Sequence, residues 1–245
     1  MSLFNNKNVA MGNQSSQNAQ VAFGNSEVFE EAAPLSTAEA NKMIRNTYTL
    51  LSMTLLFTAV MAGVAMKTNM PPMHWLIVLG GFFGLLFVTH LLQNSIWGLV
   101  AIFALTGFMG LTLGPIISAY LTMFSNGAML VMMAFGGTAA IFLGLSGYAL
   151  TSRKDFSFMG GFLFVGILVA FFAGIGAIVF SLPGLSLAVS AMFVLLMSGL
   201  ILYQTSDIIH GRETNYIIAT VTLYVSIYNL FLSLLHLLGA FMGEN

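Results

Sequence analysis

The sequence predicts an all-α membrane protein, built as a bundle of seven transmembrane helices. Of its 245 residues, 58% are hydrophobic and only 6% are charged, whereas about a quarter of the residues in an ordinary soluble domain are charged. A soluble fold with so few charges would expose apolar surface to water, but a surface in lipid needs no charge. Seven apolar segments of about 20 residues follow one another, and each is long enough to cross a hydrocarbon core of about 30 Å.

The N-terminal segment differs in character from the rest of the chain. Residues 1–40 are rich in Asn, Gln, Ser and Glu and contain no long apolar run, so they lack the apolar core of a cleaved signal peptide. We predict a disordered polar cytoplasmic tail over residues 1–40 and the seven-span bundle over residues 41–245. Ser36 and Glu39 form a capping-box pattern, which predicts that the first helix begins near Ser36.

The predicted spans are separated by breaks of two to eight residues, which are too short for folded loop domains. The spans cover approximately residues 46–66, 73–92, 96–121, 128–150, 159–181, 185–206 and 215–240. The third span contains Gly110 and Gly114, and small residues four positions apart indicate close packing against another helix.

The Lys and Arg residues near the membrane predict the orientation of the bundle. With seven spans, the N-terminal segment and the second, fourth and sixth loops lie on one side of the membrane. That side carries five of these residues and the other side carries only Lys67 (the five are Lys42, Arg45, Arg153, Lys154 and Arg212). The positive-inside rule therefore predicts an N-terminus in the cytoplasm and a C-terminus outside it.

A stripe of polar residues lies along the last predicted span. Its members are spaced 4, 3, 4 and 3 residues apart, which places them on one helix face (Thr222, Ser226, Asn229, Ser233 and His236). Polar groups in hydrocarbon are costly, so we expect this stripe to face protein or water. Hydrogen bonding between helices and a hydrophilic cavity or ion path are both open interpretations. The end of the sixth span offers three polar partners for the cytoplasmic end of the stripe (Tyr203, Gln204 and Thr205).

Asp207 is the only acidic residue close to the interior of a predicted span. One interpretation is an interfacial carboxylate near His210 and Arg212 that titrates normally. The other is a cation ligand or a proton sensor at the cytoplasmic mouth of the bundle. The four His residues lie at different depths, so they form no metal-ligand cluster. Asp207 is therefore the one candidate cation or proton site, and the sequence assigns no metal site.

Catalytic patterns in the sequence fail a geometric test. Segments around His90, Ser146 and His236 resemble rhomboid intramembrane proteases, whose serine and histidine must lie within hydrogen-bond reach. His236 lies far along the seventh span, roughly 30 Å deeper than Ser146 at about 1.5 Å per residue. Spans two to seven contain no Lys for a retinal Schiff base, and the chain has no phosphate loop or zinc motif. We predict neither an enzyme nor a cofactor, and a net charge of −1 argues against nucleic-acid binding.

Several segments, in order along residues 40–240, resemble the Bax inhibitor-1 (transmembrane BAX inhibitor motif) family. They are RNTYTLLS at 45–52, GLTLGP at 110–115, LSGY at 145–148 and RKDFS at 153–157, then TSDIIHG at 205–211, ETNY at 213–216 and LYVSIYNLF at 223–231. The last three segments carry the resemblance most strongly and are similar to the bacterial YccA-like branch. Membership implies a bundle in which the last helix is central.

The resemblance implies two functions of different classes. The YccA-like branch implies an inner-membrane modulator, and substrate, of a membrane-anchored FtsH-type AAA protease. The polar tail, residues 1–35, suits a segment that such a protease grips. The alternative is a pH-sensitive leak for calcium or another cation, which in this family is gated by paired acids in the last two spans. At those positions this chain has Gln204 and Ser226, which do not titrate, so the leak ranks second.

Overall fold

The computed structural model describes residues 37–244, which form seven long α-helices and no strand. All seven are long and apolar enough to cross a membrane, which confirms the predicted fold class. The helices are α1 Thr37–Lys67, α2 Trp75–Leu92, α3 Trp97–Met123, α4 Gly127–Ser152, α5 Gly160–Val179, α6 Pro183–Ile209 and α7 Tyr216–Met242, with a 3₁₀ turn, Ser157–Met159, before α5. The predicted tail lies outside the described residues except for residues 37–40, and so does the predicted cap at Ser36.

Local chemistry explains where individual helices begin. The Asn215 side chain accepts hydrogen bonds from the backbone N–H groups of Ile217 and Ile218, at 2.9 and 3.3 Å, and so caps α7. Pro183 occupies the first position of α6, where its missing N–H costs no helical hydrogen bond. The His74 ring accepts from the N–H of Leu76 and caps α2.

The last helix is the centre of the bundle. Helix α7 packs against α1, α3, α4 and α6, and 67% of its most apolar window is buried, against 6% for α2. Helix α2 packs mainly on α3, and α5 mainly on α6. The bundle therefore has α7 and α3 at its core, with α2 and α5 at its periphery, and the central last helix that the resemblance implies is present.

Helices α1 and α3 approach each other closely at two glycines. A Cβ atom on Gly110 would lie 2.6 Å from the carbonyl oxygen of Thr58, and one on Gly114 would lie 2.5 Å from the Cβ of Ala65. Any side chain at either position would push the two backbones apart. The predicted close packing at Gly110 and Gly114 is confirmed, and its partner is α1.

Contacts between loops show which loops share an end of the bundle. Asn215, before α7, donates a hydrogen bond from Nδ2 to the carbonyl oxygen of Gln93 at 3.1 Å and another to Oδ1 of Asn94 at 3.0 Å. The same loop before α7 meets the α4–α5 loop through an ion pair between Arg212 and Asp155. We call this end, where α1 also begins, the amino-terminal end of the bundle.

The C-terminal residues are held at the opposite end, by the α3–α4 loop. The backbone N–H of Ser125 donates to the carbonyl oxygen of Glu244 at 2.8 Å. The Asn126 side chain donates to the carbonyl oxygen of Met242 at 2.7 Å and accepts from the N–H of Glu244 at 3.2 Å. The end of the chain is therefore bonded to the bundle through residue 244.

Candidate functional site

The polar stripe of α7 is only partly exposed, and two of its members bond to their own helix. Ser226 and Ser233 are buried, while Thr222, Asn229 and His236 are half-buried. The Ser226 hydroxyl donates to the carbonyl oxygen of Thr222 at 2.8 Å, and the Asn229 amide donates to that of Val225 at 2.9 Å. Such bonds satisfy polar side chains inside a helix without a partner on another helix.

One member of the stripe ties α7 to α6. The His236 ring, through Nδ1, and the hydroxyl of buried Ser190 are hydrogen-bonded at 2.8 Å. The hydroxyl of Ser146 lies instead 3.4 Å from that of Thr205, near the other end of the bundle. Ser146 and His236 therefore have separate partners, as the rejection of a rhomboid arrangement requires.

The partners proposed on α6 for the stripe contact other helices. The Thr205 hydroxyl lies 3.3 Å from that of Tyr48 on α1, in addition to its contact with Ser146 on α4. Gln204 is buried, and its Nε2 has no hydrogen-bond partner among the described residues. Tyr203 packs its ring against Gly160 of α5. Among the described residues, the side-chain bond between the stripe and α6 is the one at Ser190, far along the helix from these three.

Thr222 lines a cleft of about 210 Å³ between α2, α6 and α7. The walls are mostly apolar side chains, including Leu200 of α6 and Val225 of α7. Thr89 and His90 of α2 are the other polar residues of the lining, and the Thr89 hydroxyl donates to the carbonyl oxygen of Leu85 in its own helix. The stripe thus meets this cleft at Thr222, and the lining of the cleft offers few polar groups.

Asp207 belongs to an ionic cluster at the amino-terminal end of the bundle. Its Oδ1 accepts a hydrogen bond from Nε of Arg212 at 2.7 Å, although Asp207 is only 8% exposed. The same guanidinium donates two hydrogen bonds to the carboxylate of Asp155, at 2.8 and 3.2 Å. This Asp155–Arg212–Asp207 cluster joins the α4–α5 loop to the α6–α7 loop, and paired Arg–carboxylate bonds fix geometry well.

Ser206 reinforces the same junction. Its hydroxyl accepts from the backbone N–H of Phe156 at 3.1 Å and donates to the carbonyl oxygen of Lys154 at 3.3 Å. His210 donates from Nδ1 to the carbonyl oxygen of Ser206 at 2.8 Å. Of the two residues expected beside Asp207, Arg212 therefore binds its carboxylate, and His210 bonds to Ser206.

The loop carboxylate of the cluster is strongly acidic. Hydrogen bonds from the backbone N–H and the hydroxyl of Ser157, followed by Arg212, lower the pKa of Asp155 to about 2. Because this pKa is lowered, the stabilisation from the charged carboxylate is present at neutral pH and is lost only as the pH falls below about 4 towards 2. Asp155 is therefore no sensor of pH changes near neutrality.

The chemistry of the cluster is that of a structural ion pair. Calcium takes six to eight oxygen ligands, and the described residues hold no group of three His, Cys, Asp or Glu that could bind a metal ion. The guanidinium of Arg212 occupies the carboxylate of Asp207. A cation that binds Asp207 would have to displace that guanidinium. The cation or proton site at Asp207 remains a prediction.

Two tyrosines on another face of α7, outside the predicted polar stripe, bond to neighbouring helices. The Tyr224 hydroxyl lies 2.9 Å from that of Thr58, which also donates to the carbonyl oxygen of Thr106 on α3 at 3.0 Å. The Tyr228 hydroxyl lies 3.0 Å from that of Thr112 on α3. Their spacing in the sequence predicts such contacts. Two tyrosines four residues apart inside a span share a helix face, and their hydroxyl groups need polar partners.

Comparisons with known proteins match nearly the whole bundle. A family model described as Inhibitor of apoptosis-promoting Bax1 matches residues 40–243. An uncharacterised protein of Pseudomonas aeruginosa is 52% identical over 207 residues, which cover 84% of this chain and 93% of that protein. An Escherichia coli K12 protein named Modulator of FtsH protease YccA is 48% identical over 204 residues, 83% of this chain and 92% of that protein. The protein named Inner membrane protein YccA in E. coli O6:H1 matches with the same identity and coverage.

Removing the shared cation should destabilise the loop cluster. Arg212→Gln leaves the carboxylate of Asp207, only 8% exposed, without its ionic partner, and we expect a loss of about 1–3 kcal/mol. The measurement is the thermal unfolding midpoint of the purified protein in detergent. Arg153→Gln is the matched control, because Arg153 is exposed in the neighbouring loop and has no ion pair within residues 37–244. Equal midpoints for the two variants would contradict a stabilising role of the cluster.

Proposed function

Because the chain belongs to the Bax inhibitor-1 family, we propose that it is an inner-membrane modulator, and a substrate, of a membrane-anchored FtsH-type AAA protease. The observation that carries the proposal is the 48% identity to the E. coli protein named Modulator of FtsH protease YccA, over 92% of that protein. The matched region takes in the Asp155–Arg212–Asp207 cluster and the central helix α7. The family match thus takes in residues of all seven helices.

The proposed site of action is the inner membrane, which the name of the second E. coli relative supports. We propose that the amino-terminal end of the bundle faces the cytoplasm. Five of the six Lys and Arg residues near the membrane belong to that end, and Lys67 belongs to the other. The contacts of Asn215 with Asn94 and of Arg212 with Asp155 support the grouping of the loops on which this count depends.

Single-cysteine labelling tests the orientation, and the natural chain has no Cys to interfere. Thr68→Cys, in the exposed α1–α2 loop, should react with a membrane-impermeant maleimide in spheroplasts. Thr214→Cys, in the exposed α6–α7 loop, should react only after the membrane is permeabilised. The reverse pattern would place the N-terminus outside the cytoplasm.

The proposed handle for the protease is the N-terminal segment, residues 1–35. Hydrogen bonds from Ser125 and Asn126 hold the C-terminal residues Met242 and Glu244 against the bundle. The C-terminus also lies at the end of the bundle that we place outside the cytoplasm. We therefore place the proposed handle in residues 1–35, which precede α1 at the end of the bundle that we assign to the cytoplasm.

Removing residues 1–35 should lengthen the half-life of the protein in cells and relieve its effect on the protease. The deletion ends before α1, which begins at Thr37, so the described bundle is kept. The measurements are pulse-chase half-life and the turnover of a second protease substrate. A chain with residues 1–35 in scrambled order is the control, and it should still be degraded if the segment acts as a polar handle. An unchanged half-life after deletion would exclude the handle, and failure of the full chain to co-purify with the protease would exclude the modulator function.

The second candidate is a cation leak, which one observation favours: the half-buried Thr222 of the polar stripe lines the cleft between α2, α6 and α7. If cations pass there, liposomes with the purified protein should take up calcium faster than empty liposomes. Thr222→Val, which keeps the shape and removes the hydroxyl, and Asn229→Leu should both lower the flux, and Thr151→Val, at the exposed end of α4, should not. Flux equal to that of empty liposomes would exclude the leak.

A further inference from the structure

A second groove, of about 400 Å³, opens at the amino-terminal end of the bundle between α1, α3 and the first residue of α7. Its polar lining consists of Arg45, Asn46 and Thr49 of α1 and Tyr216 of α7. Its apolar lining consists of three side chains from α1 and α3 (Leu50, Met53 and Leu99). Neither the polar stripe nor the ionic cluster contributes to this groove.

The guanidinium of Arg45 is exposed in this groove without an ionic partner. Within residues 37–244 both ion pairs are made by Arg212, and none by Arg45. Arg45 lies at the boundary of the first predicted span, where the headgroups of a bilayer are found. Arg binds phosphate oxygens through two parallel N–H donors and is weakly hydrated, so it suits a phosphate ligand at an interface.

Along the outer face of α1, charged side chains are followed by apolar ones. A phospholipid has the same order, from its charged headgroup to its acyl chains. Lys42, Arg45, Thr49, Met53 and Leu56 are spaced 3, 4, 4 and 3 residues apart, so they follow one face of the helix, and all are exposed. From Arg45 to Met53 the helix rises by roughly 12 Å. Cationic groups therefore come first, a hydroxyl next, and apolar side chains last.

We propose that this groove binds an anionic phospholipid of the surrounding leaflet, with the lipid phosphate on Arg45 and the acyl chain along Met53 and Leu99. Asn46, Thr49 and Tyr216 also line the groove, and their side chains carry the N–H and O–H donors that phosphate and ester oxygens accept from. Lys42, one turn before Arg45 on the same face, adds positive charge for a headgroup with net negative charge. The apolar half of the groove favours a lipid over a free phosphate ion, because only the lipid has an acyl chain that can contact it.

The other cationic groups at this end lack these features. Arg212 is neutralised by Asp155 and Asp207. Lys154 lies over the ring of Tyr148, with 5.8 Å between its Nζ and the ring centroid. Arg153 has no ion pair either, but it does not line the groove. Within residues 37–244, Arg45 is thus the cation at this end that combines an unpaired guanidinium with a groove leading towards the hydrocarbon.

The test is the binding of phosphatidylglycerol to the purified full-length protein in detergent, measured by native mass spectrometry and by the shift of the thermal unfolding midpoint. Phosphatidylglycerol should bind and raise the midpoint, and phosphatidylcholine and inorganic phosphate should do so much less. Arg45→Gln should lower the affinity for phosphatidylglycerol by about tenfold or more. Arg45→Lys should retain part of it, because a lysine keeps the charge and loses the paired donors.

Arg153→Gln is the matched control, since it removes one exposed positive charge at the same end of the bundle, away from the groove. It should leave the affinity for phosphatidylglycerol unchanged. Equal losses for Arg45→Gln and Arg153→Gln would overturn the proposal in favour of unspecific attraction by net charge. If inorganic phosphate shifts the unfolding midpoint by the same amount, the ligand of the groove is a free anion and the lipid proposal is wrong. Met53→Gln, which leaves Arg45 intact, should also weaken lipid binding, and unchanged binding would contradict the acyl-chain half of the groove.

Discussion

The buried hydroxyl of Tyr224 illustrates the constraint on which the rest of the structure depends, which is the pairing of polar groups inside the membrane. In hydrocarbon no water is available, so a polar group on a helix is costly unless it has a partner within the protein. Tyr224 finds Thr58 on α1, and through it the backbone of α3, while Tyr228 finds Thr112 on α3. These contacts fix the rotation of α7 relative to two neighbours, which an apolar surface alone would not do.

The two ends of the bundle are closed by different chemistry. At the amino-terminal end, Arg212 binds two carboxylates from different chain segments and so fastens the α6–α7 loop to the α4–α5 loop. At the other end, neutral hydrogen bonds from Ser125 and Asn126 hold the last residues of the chain. The α4–α5 and α6–α7 loops are thus joined by charge at one end of the bundle, and residues 242–244 are joined to the α3–α4 loop by neutral hydrogen bonds at the other.

Polar residues inside the spans separate into those that bind another helix and those that bind their own. Ser226 and Asn229 were found from their spacing, yet both donate to the helix that carries them. His236 belongs to the same stripe and bonds to Ser190 on α6. Spacing predicts which residues share a face, but it does not say whether a side chain turns back to its own carbonyl or reaches across, because both choices satisfy the same donor.

By itself the sequence determined the number of spans, their approximate limits, the closeness of packing at Gly110 and Gly114, and the family. The spans depend on local hydropathy, the packing at the two glycines on their lack of a side chain, and the family on the order of short segments, and all three can be read from neighbouring residues. Only the tertiary structure decided that Thr205 meets Tyr48, 157 residues away, and that Arg212, rather than His210, binds Asp207. Such pairs depend on how whole helices are rotated and stacked, and that outcome is settled by the packing of all seven together rather than by any one segment.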